Sequence, residues 1–460
     1  MFLALMTKLE NITEDCEFPQ LREIVNAKQL APMLQRCLGP AFAAGEMHVE
    51  SCVIDQLYYK PGGDCRILFT ASIRRCHDEA TAQQIFFGKL FRHGSAKKIY
   101  DSLNLQHLAP PKFGPAVIYI PEWEMILWAY PNDPNLPGLS LMVDSKKILA
   151  FAKAAPEKFG LQYPPVAVTA EMTKYVPGMR CGYIYRMVPA AANGHVASSA
   201  AVYGKAYRDL EGEKAYEIMK QIWASAAAQR GDFVLPQPYS YDPETQILWQ
   251  EALPGQPFAK LAENLPNLPE AANEIGRRLA AFHGTRLQLP LKMTFDFQVE
   301  EVRRAVTAIS RTFPDSAQAC AAVGEKLLHA AARLGPGPVT PVHASFKFSH
   351  IFATARGMAF IDFDGANLGD PGYDLGRFLA HFYKMQAGAK IDAAVIESTA
   401  ANFCASYNRA AASPVPQERI DWFAASHVIS SQVYKSVKRM DSALVSNLLN
   451  IADRLCSTSL

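Results

Sequence analysis

The sequence predicts an α+β chain: a small antiparallel-sheet domain present twice, then a mainly helical domain. Three observations carry this. YKPGGDCRIL at 59–68 returns as YVPGMRCGYI at 175–184, and FFGKLFR at 86–92 returns as VYGKAYR at 202–208. Tyr59 and Tyr175 are 116 residues apart, as are Lys89 and Lys205; ILW at 126–128 recurs at 247–249, with the longer offset that a loop insertion produces. A repeat of this length marks one structural unit used twice. The third observation lies further on. PVHASFKFSHIF (341–352) reads as a strand entering a loop that re-enters a strand at Ile351, and AFIDFDGANLGDPGYDLGRFL (359–379) as an apolar strand ending in an acidic turn, then a helix.

Each copy begins with a helical segment, KQLAPMLQRCLG (28–39) or SKKILAFAKAA (145–155). In the first copy, 51–59 and 65–73 are β-rich runs flanking a Pro-Gly turn, where glycine supplies the positive φ of a tight hairpin. A third strand carries Lys89 or Lys205. A helix follows, at 95–104 or 211–224, and two more strands end at ILW. The expected segments are a helical lead at 1–45, a first copy at 46–145, a second copy with its leading helix at 146–255, and a helical domain at 256–460. That last domain contains the helix 268–287.

With 460 residues and 49% hydrophobic content the chain can bury a large core. A net charge of +2 gives no reason to expect a nucleic-acid partner. Nine cysteines without a C-x-x-C pair point to reduced thiols and a cytoplasmic location. The opening MFLALMTKLE has neither a basic n-region nor a cleavage site, so no signal peptide is expected. No run of 18 apolar residues exists, and no membrane span is expected.

Asp362 makes the clearest chemical claim from the residues alone. A carboxylate closing a buried strand is costly without a cation or several donors, and carboxylate oxygens suit a hard cation; Asp364 is placed to share it. Asp370 and Asp374 read as braces of loops and caps of the helix near Tyr373. Ser345 is no carboxylate and cannot serve as a base near neutrality. Lys347 points the same way if the stretch is extended.

These motifs, in this order, resemble the aminoglycoside phosphotransferase/choline kinase family, relatives of the protein kinases, over residues 160–460. The resemblance implies a protein-kinase-like bilobal fold, with an antiparallel-sheet N-lobe and a mainly helical C-lobe, here preceded by a second N-lobe-like domain. It implies ATP or another nucleotide as cofactor, with Mg²⁺. Lys205 would contact the nucleotide phosphates and pair with an acid on the next helix, Glu217 first and Glu213 second. Pro177-Gly178 would be a hairpin over the phosphates or an ordinary turn. The family's loop reads H-x-D-x-x-x-x-N. Here His343 opens it, as a structural spine residue or a catalytic one; Ser345 stands at the catalytic Asp and His350 at the metal-binding Asn. Lys347 resembles a lysine that meets the transferring phosphate, and Asp362, with Asp364 and His350, would hold the metal. Two functions follow: phosphoryl transfer from ATP to a hydroxyl of a small molecule, slowed by the missing base, or a pseudokinase, a nucleotide- or metabolite-binding module that regulates a protein partner without catalysis. Basic side chains outnumber acidic ones in 401–460, which argues against a polycationic acceptor.

Overall fold

The protein is described here by a computed structural model covering residues 18–59, 65–92, 94–106, 108–189, 199–263, 267–312, 314–437 and 442–459. The Pro-Gly turn of the first copy, within 60–64, lies outside them. The chain divides into two compact units: residues 1–212 with 239–249, and residues 213–238 with 250–460.

The first unit contains two five-stranded sheets. One is built from β1 (Met47–Tyr59), β2 (Cys65–Arg75), β3 (Thr81–Leu90), β4 (Val117–Ile120) and β5 (Met125–Ala129), in the order β1-β2-β3-β5-β4. The other uses β6 (Pro165–Val176), β7 (Arg180–Pro189), β8 (Ala200–Tyr207), β9 (Pro238–Asp242) and β10 (Ile247–Glu251), in the order β6-β7-β8-β10-β9. The correspondence extends to register. Lys89 on β3 faces Arg66 on β2, and Lys205 on β8 faces Gly182 on β7. The β1–β2 ladder slips between Val49 and Ser51, and the β6–β7 ladder between Pro165 and Ala167, again 116 residues on. A slipped register would turn a strand's apolar set to the wrong face, so burial on each face holds these pairings in place.

Alternation explains how the sheets are buried. On β2, Cys65, Ile67, Phe69, Ala71 and Ile73 point to one face and pack with Leu30 and Leu34 of α1 (Ala27–Cys37). Leu68 faces the other way and joins the second copy's core, with Tyr175, Tyr185 and Trp249. Ile148 and Ala152 of α2 (Ser145–Ala154) belong to that same core. Each leading helix packs along the first strand of its own sheet.

A buried carboxylate ties the two copies together at the Pro177-Gly178 turn. Asp133, in the segment joining the copies, is 8% exposed. It accepts from the Gly178 N–H at 2.7 Å, the Tyr175 hydroxyl at 2.9 Å and the Asn135 N–H at 3.0 Å. Arg66 donates to the Pro177 carbonyl at 2.8 Å, and the Asn135 amide to the Gly178 carbonyl at 3.4 Å. Burial pushes the Asp133 carboxyl above its usual range, while the Gly178 and Asn135 N–H groups, the Tyr175 hydroxyl and Arg66 pull it down. Gly178 adopts φ 68°, where a Cβ would be strained.

The second unit is mainly helical. Its chief helices are α3 (Leu268–His283), α4 (Phe295–Thr312), α5 (Ala317–Leu334), α6 (Gly372–Ala387), α7 (Ala393–Ala410), α8 (Gln417–His427) and α9 (Ser442–Ser459). A core through Phe295, Leu327, Trp422, Phe423 and Leu448 joins α4, α5, α8 and α9. Asp370 accepts the Gly372 N–H at 2.9 Å, bracing the start of α6, and pairs with the buried Arg419 of α8, whose Nε lies 2.8 Å away. Among the described residues no helix is long and apolar enough to cross a membrane.

Two predictions follow from these buried groups. Asp133→Ala leaves the Tyr175 hydroxyl and two backbone N–H groups without their acceptor, a loss of about 2–3 kcal/mol. Hydrogen exchange read by mass spectrometry should speed up in peptides spanning 173–180 and stay unchanged over α6; unchanged exchange at 173–180 would contradict the tie. His427 is buried, its Nε2 donating to the Tyr373 carbonyl at 3.0 Å, and desolvation, with Arg377 adding to it, holds its pKa well below 6.5. The unfolded chain binds a proton near pH 6.5 that the folded chain refuses, so the stability present above that pH is lost as pH falls, by about 1.4 kcal/mol per unit. Denaturant unfolding of wild type and His427→Gln between pH 7.5 and 5.0 should show the shallower acid slope in the variant.

Candidate functional site

The loop 343–350 is set by short strands in the second unit. Thr340–Val342 pairs antiparallel with Asn367–Gly369, and Ile351–Thr354 with Gly357–Phe360. Between Val342 and Ile351 the chain alternates: Phe346 and Phe348 are buried, Ser345 and Lys347 half-buried. The Phe346 ring meets Phe360 edge-on at 4.9 Å, and Phe348 meets Phe382 at 4.6 Å. The apolar pair anchors the loop and turns the hydroxyl and the ammonium the other way.

Asp374, fully buried on α6, holds the loop's entry. Its Oδ2 accepts from the His343 N–H at 2.6 Å and its Oδ1 from the Ala344 N–H at 2.9 Å. His283, at the end of α3, lies 3.1 Å from Oδ2 through Nε2, and its Nδ1 lies 2.8 Å from the Tyr407 hydroxyl. Ala344 takes φ 61°, a left-handed conformation unusual for a residue with a Cβ. Asp362 has φ 66° at the far side of the site.

The structure brings together His343, Ser345, His350 and Asp362. The Ser345 Oγ is 3.3 Å from His343 Nδ1 and 3.2 Å from His350 Nδ1. His350 Nε2 lies 3.1 Å from Asp362 Oδ2. His343 Nε2 faces the Ile361 carbonyl at 2.9 Å, so that nitrogen carries the proton. His343 is wholly buried; desolvation lowers its pKa, against the opposing charges of Asp374 and Asp362. Its ring lies 4.5 Å from that of Phe363. One side chain thus contacts both the Ile361 carbonyl and the Ser345 hydroxyl.

Lys205, on β8 of the first unit, is 8% exposed, its ammonium 4.8 Å from the Tyr207 ring centre. Glu217, expected as its acid partner, is on the exposed face of the helix Glu211–Trp223 and bonds Lys220 at 3.0 Å. The helix buries Ala215, Met219 and Ile222, which puts position 217 outward. Glu213 is exposed as well. Pro177 and Gly178, expected over phosphates, are buried and their backbone groups bond Arg66, Asp133 and Asn135. The turn is a joint between the copies, and its N–H is committed to a carboxylate.

The expected metal ligands fare similarly. Mg²⁺ demands near-octahedral oxygen coordination. Here the Asn position holds an imidazole, and that imidazole bonds Asp362. Asp364 is half-buried on the adjoining turn. Among the described residues no three His, Cys, Asp or Glu side chains are grouped to hold a metal ion. Asp362 and Asp364 offer carboxylate oxygens of the kind that hold Mg²⁺ beside substrate phosphates, and the imidazole of His350 stands against Asp362.

Residues 204–412 match the model of the phosphotransferase enzyme family. That segment is similar to the phosphotransferases. It runs from Gly204, beside Lys205, through the loop and α6. Solved structures similar to the chain include a thermostable mutant of aminoglycoside phosphotransferase APH(4)-Ia, at 15% identity, covering 64% of this chain and 95% of that one, TM-score 0.44. A choline/ethanolamine kinase family protein from Mesorhizobium loti is 13% identical, with 68% and 95% covered, TM-score 0.42. A candidate aminoglycoside phosphotransferase from Ralstonia eutropha is 12% identical, with 69% and 99% covered, TM-score 0.46. No curated protein matches by sequence. In the matched segment Asp374 holds the entry of the loop, and Ser345 stands 3.2 Å from the His350 ring.

Asp374→Asn tests that frame. An amide cannot accept from all three groups that Asp374 serves, so the variant should lose about 3 kcal/mol, against less than about 0.5 kcal/mol for the exposed control Glu397→Gln. Equal unfolding midpoints for the two variants would contradict the role assigned to Asp374.

Proposed function

We propose that this chain is a nucleotide-binding module of phosphotransferase type that no longer performs efficient phosphoryl transfer, its bound state serving to regulate a partner. The observation that carries this reading is the state of the loop: a hydroxyl held between two imidazoles stands where the related loop has a carboxylate base. The matched family segment supports the nucleotide, and Lys205 is the residue proposed to meet its phosphates. Lys347, two residues on from Ser345 and half-buried, is a further candidate for phosphate contact.

A second reading has its own support. The frame around Asp374 and His343 is complete, and phosphoryl transfer is mostly positioning and charge neutralisation. General-base help is worth roughly 10²–10⁴-fold, so its loss alone leaves a slow transferase to a neutral or anionic small-molecule hydroxyl. One comparison separates the two. ADP release from ATP is measured for wild type and for Ser345→Asp combined with His350→Asn. The module reading expects wild type at background and a gain in the double variant, where a carboxylate base and an oxygen ligand return. Wild-type release above background that Lys205→Ala abolishes would overturn it in favour of the slow transferase.

A further inference from the structure

We propose that Arg377 and His381 of α6, with Lys347 and Lys435 beside them, bind the oxyanion of a small hydroxylated carboxylate or phosphate ester. This site goes beyond the nucleotide reading and stands without it. Tyr373, Arg377 and His381 are four apart on α6, so they share one face of the helix. His427, at the end of α8, packs against that face. Its Nε2 donates to the Tyr373 carbonyl at 3.0 Å, and the two rings meet edge-on at 4.6 Å. Beyond His427 the helix widens into a π segment, Val428–Val433, and resumes at Tyr434–Val437. In an α-helix eight residues overshoot two turns by about 80°. The wider turn takes up that excess, and Lys435 returns to the side of His427. From the loop, Phe348 lays its ring 5.4 Å from that of His381, which brings its neighbour Lys347 to the same face.

Positive charge gathers there. The charges that act most on His381 are those of Lys435, Arg377 and Lys347; burial first, and then these cations, hold its pKa down to about 3. Arg377 and Lys435 act on His427 as well. The acids that act on Tyr373 are Asp374, committed to the loop, and Glu301, paired with Arg304 at 3.2 Å. Among the described residues Arg377 has no carboxylate partner. Its Nη1 donates to the Tyr373 hydroxyl at 3.3 Å, and its Nε is buried with no hydrogen bond. A buried donor left this way calls for a group from outside the chain, a water or an ion. The guanidinium edge that carries Nε can grip a carboxylate or phosphate with two parallel bonds. His381 donates through Nδ1 to the Arg377 carbonyl at 2.9 Å, so its neutral ring offers Nε2 as an acceptor for a ligand hydroxyl. An amine at this face meets like charges instead. Lys435 is exposed, and Arg377, His381 and Lys347 are half-buried, so the face is open to a ligand from solvent.

Glycerol phosphate, glycerate and glycerol test this, being alcohols that differ only in the charged group. Calorimetric titration of the full chain without nucleotide reads each affinity. At least one of the two anions should bind, and glycerol should not; the tighter anion tells phosphate from carboxylate. Arg377→Gln and Lys435→Glu should each weaken binding by about tenfold or more. Lys435→Glu, at an exposed position, should keep the wild-type melting temperature, which separates lost binding from lost folding. Lys205→Ala should leave the anion's affinity unchanged. In NMR spectra the His381 ring signals should move during the titration, and those of the exposed His77 should not. Failure of both anions to bind overturns the proposal. So does binding that survives both Arg377→Gln and Lys435→Glu, that leaves the His381 signals unmoved, or that Lys205→Ala removes, since the anion then sits elsewhere.

Discussion

A single buried carboxylate, Asp374, organises the candidate site. Two backbone N–H groups of the loop and an imidazole from another helix converge on it. A carboxylate removed from water is tolerated only when such donors replace the water it has lost. Once they do, the loop's entry is fixed: Ala344 is held in a left-handed turn, His343 is directed at the Ile361 carbonyl, and Ser345 emerges beside two imidazoles. Positions 345 and 350 carry a hydroxyl and an imidazole within that frame.

The first unit uses the same device for a different end. Asp133 is a buried carboxylate satisfied by Gly178, Tyr175 and Asn135, and it fastens the hairpin of one copy to the segment that follows the other. The cost of burying it shows in its raised pKa, and the three donors offset that cost. A turn held this way has its polar groups committed inside the unit. The first copy contributes Arg66, which donates to the Pro177 carbonyl of the second copy's turn.

Much of the fold was legible in the sequence because its signals are local. The Pro-Gly turn of the second copy, the lysine-bearing third strands, the leading helices and the strand restarting at Ile351 each follow from short patterns, and the 116-residue spacing predicts the shared strand order. The role of Asp370 and Asp374 as braces was also readable, although not that Asp374 would gather three donors. What escaped were closures between distant residues. Nothing local to Asp133 announces that it will accept from Tyr175 and Gly178, more than forty positions on. The bond between His350 and Asp362 depends on how two strands turn, and the residue types alone suggested shared metal binding instead. Glu217 is a different case. The apolar spacing of Ala215, Met219 and Ile222 already places it on the outer face, and helical periodicity was the signal that could have excluded it.

The central claim is that the chain holds a nucleotide without efficiently transferring its phosphate. Phosphorus NMR of ATP mixed with stoichiometric protein and a panel of neutral small-molecule alcohols tests both halves in one sample. The account predicts broadened α, β and γ phosphate resonances whose intensities stay constant over hours. Narrow, unperturbed resonances would contradict the binding. Loss of the γ signal with matching growth of ADP and a phosphomonoester, at a rate typical of kinases, would contradict the claim that the loop has lost its base.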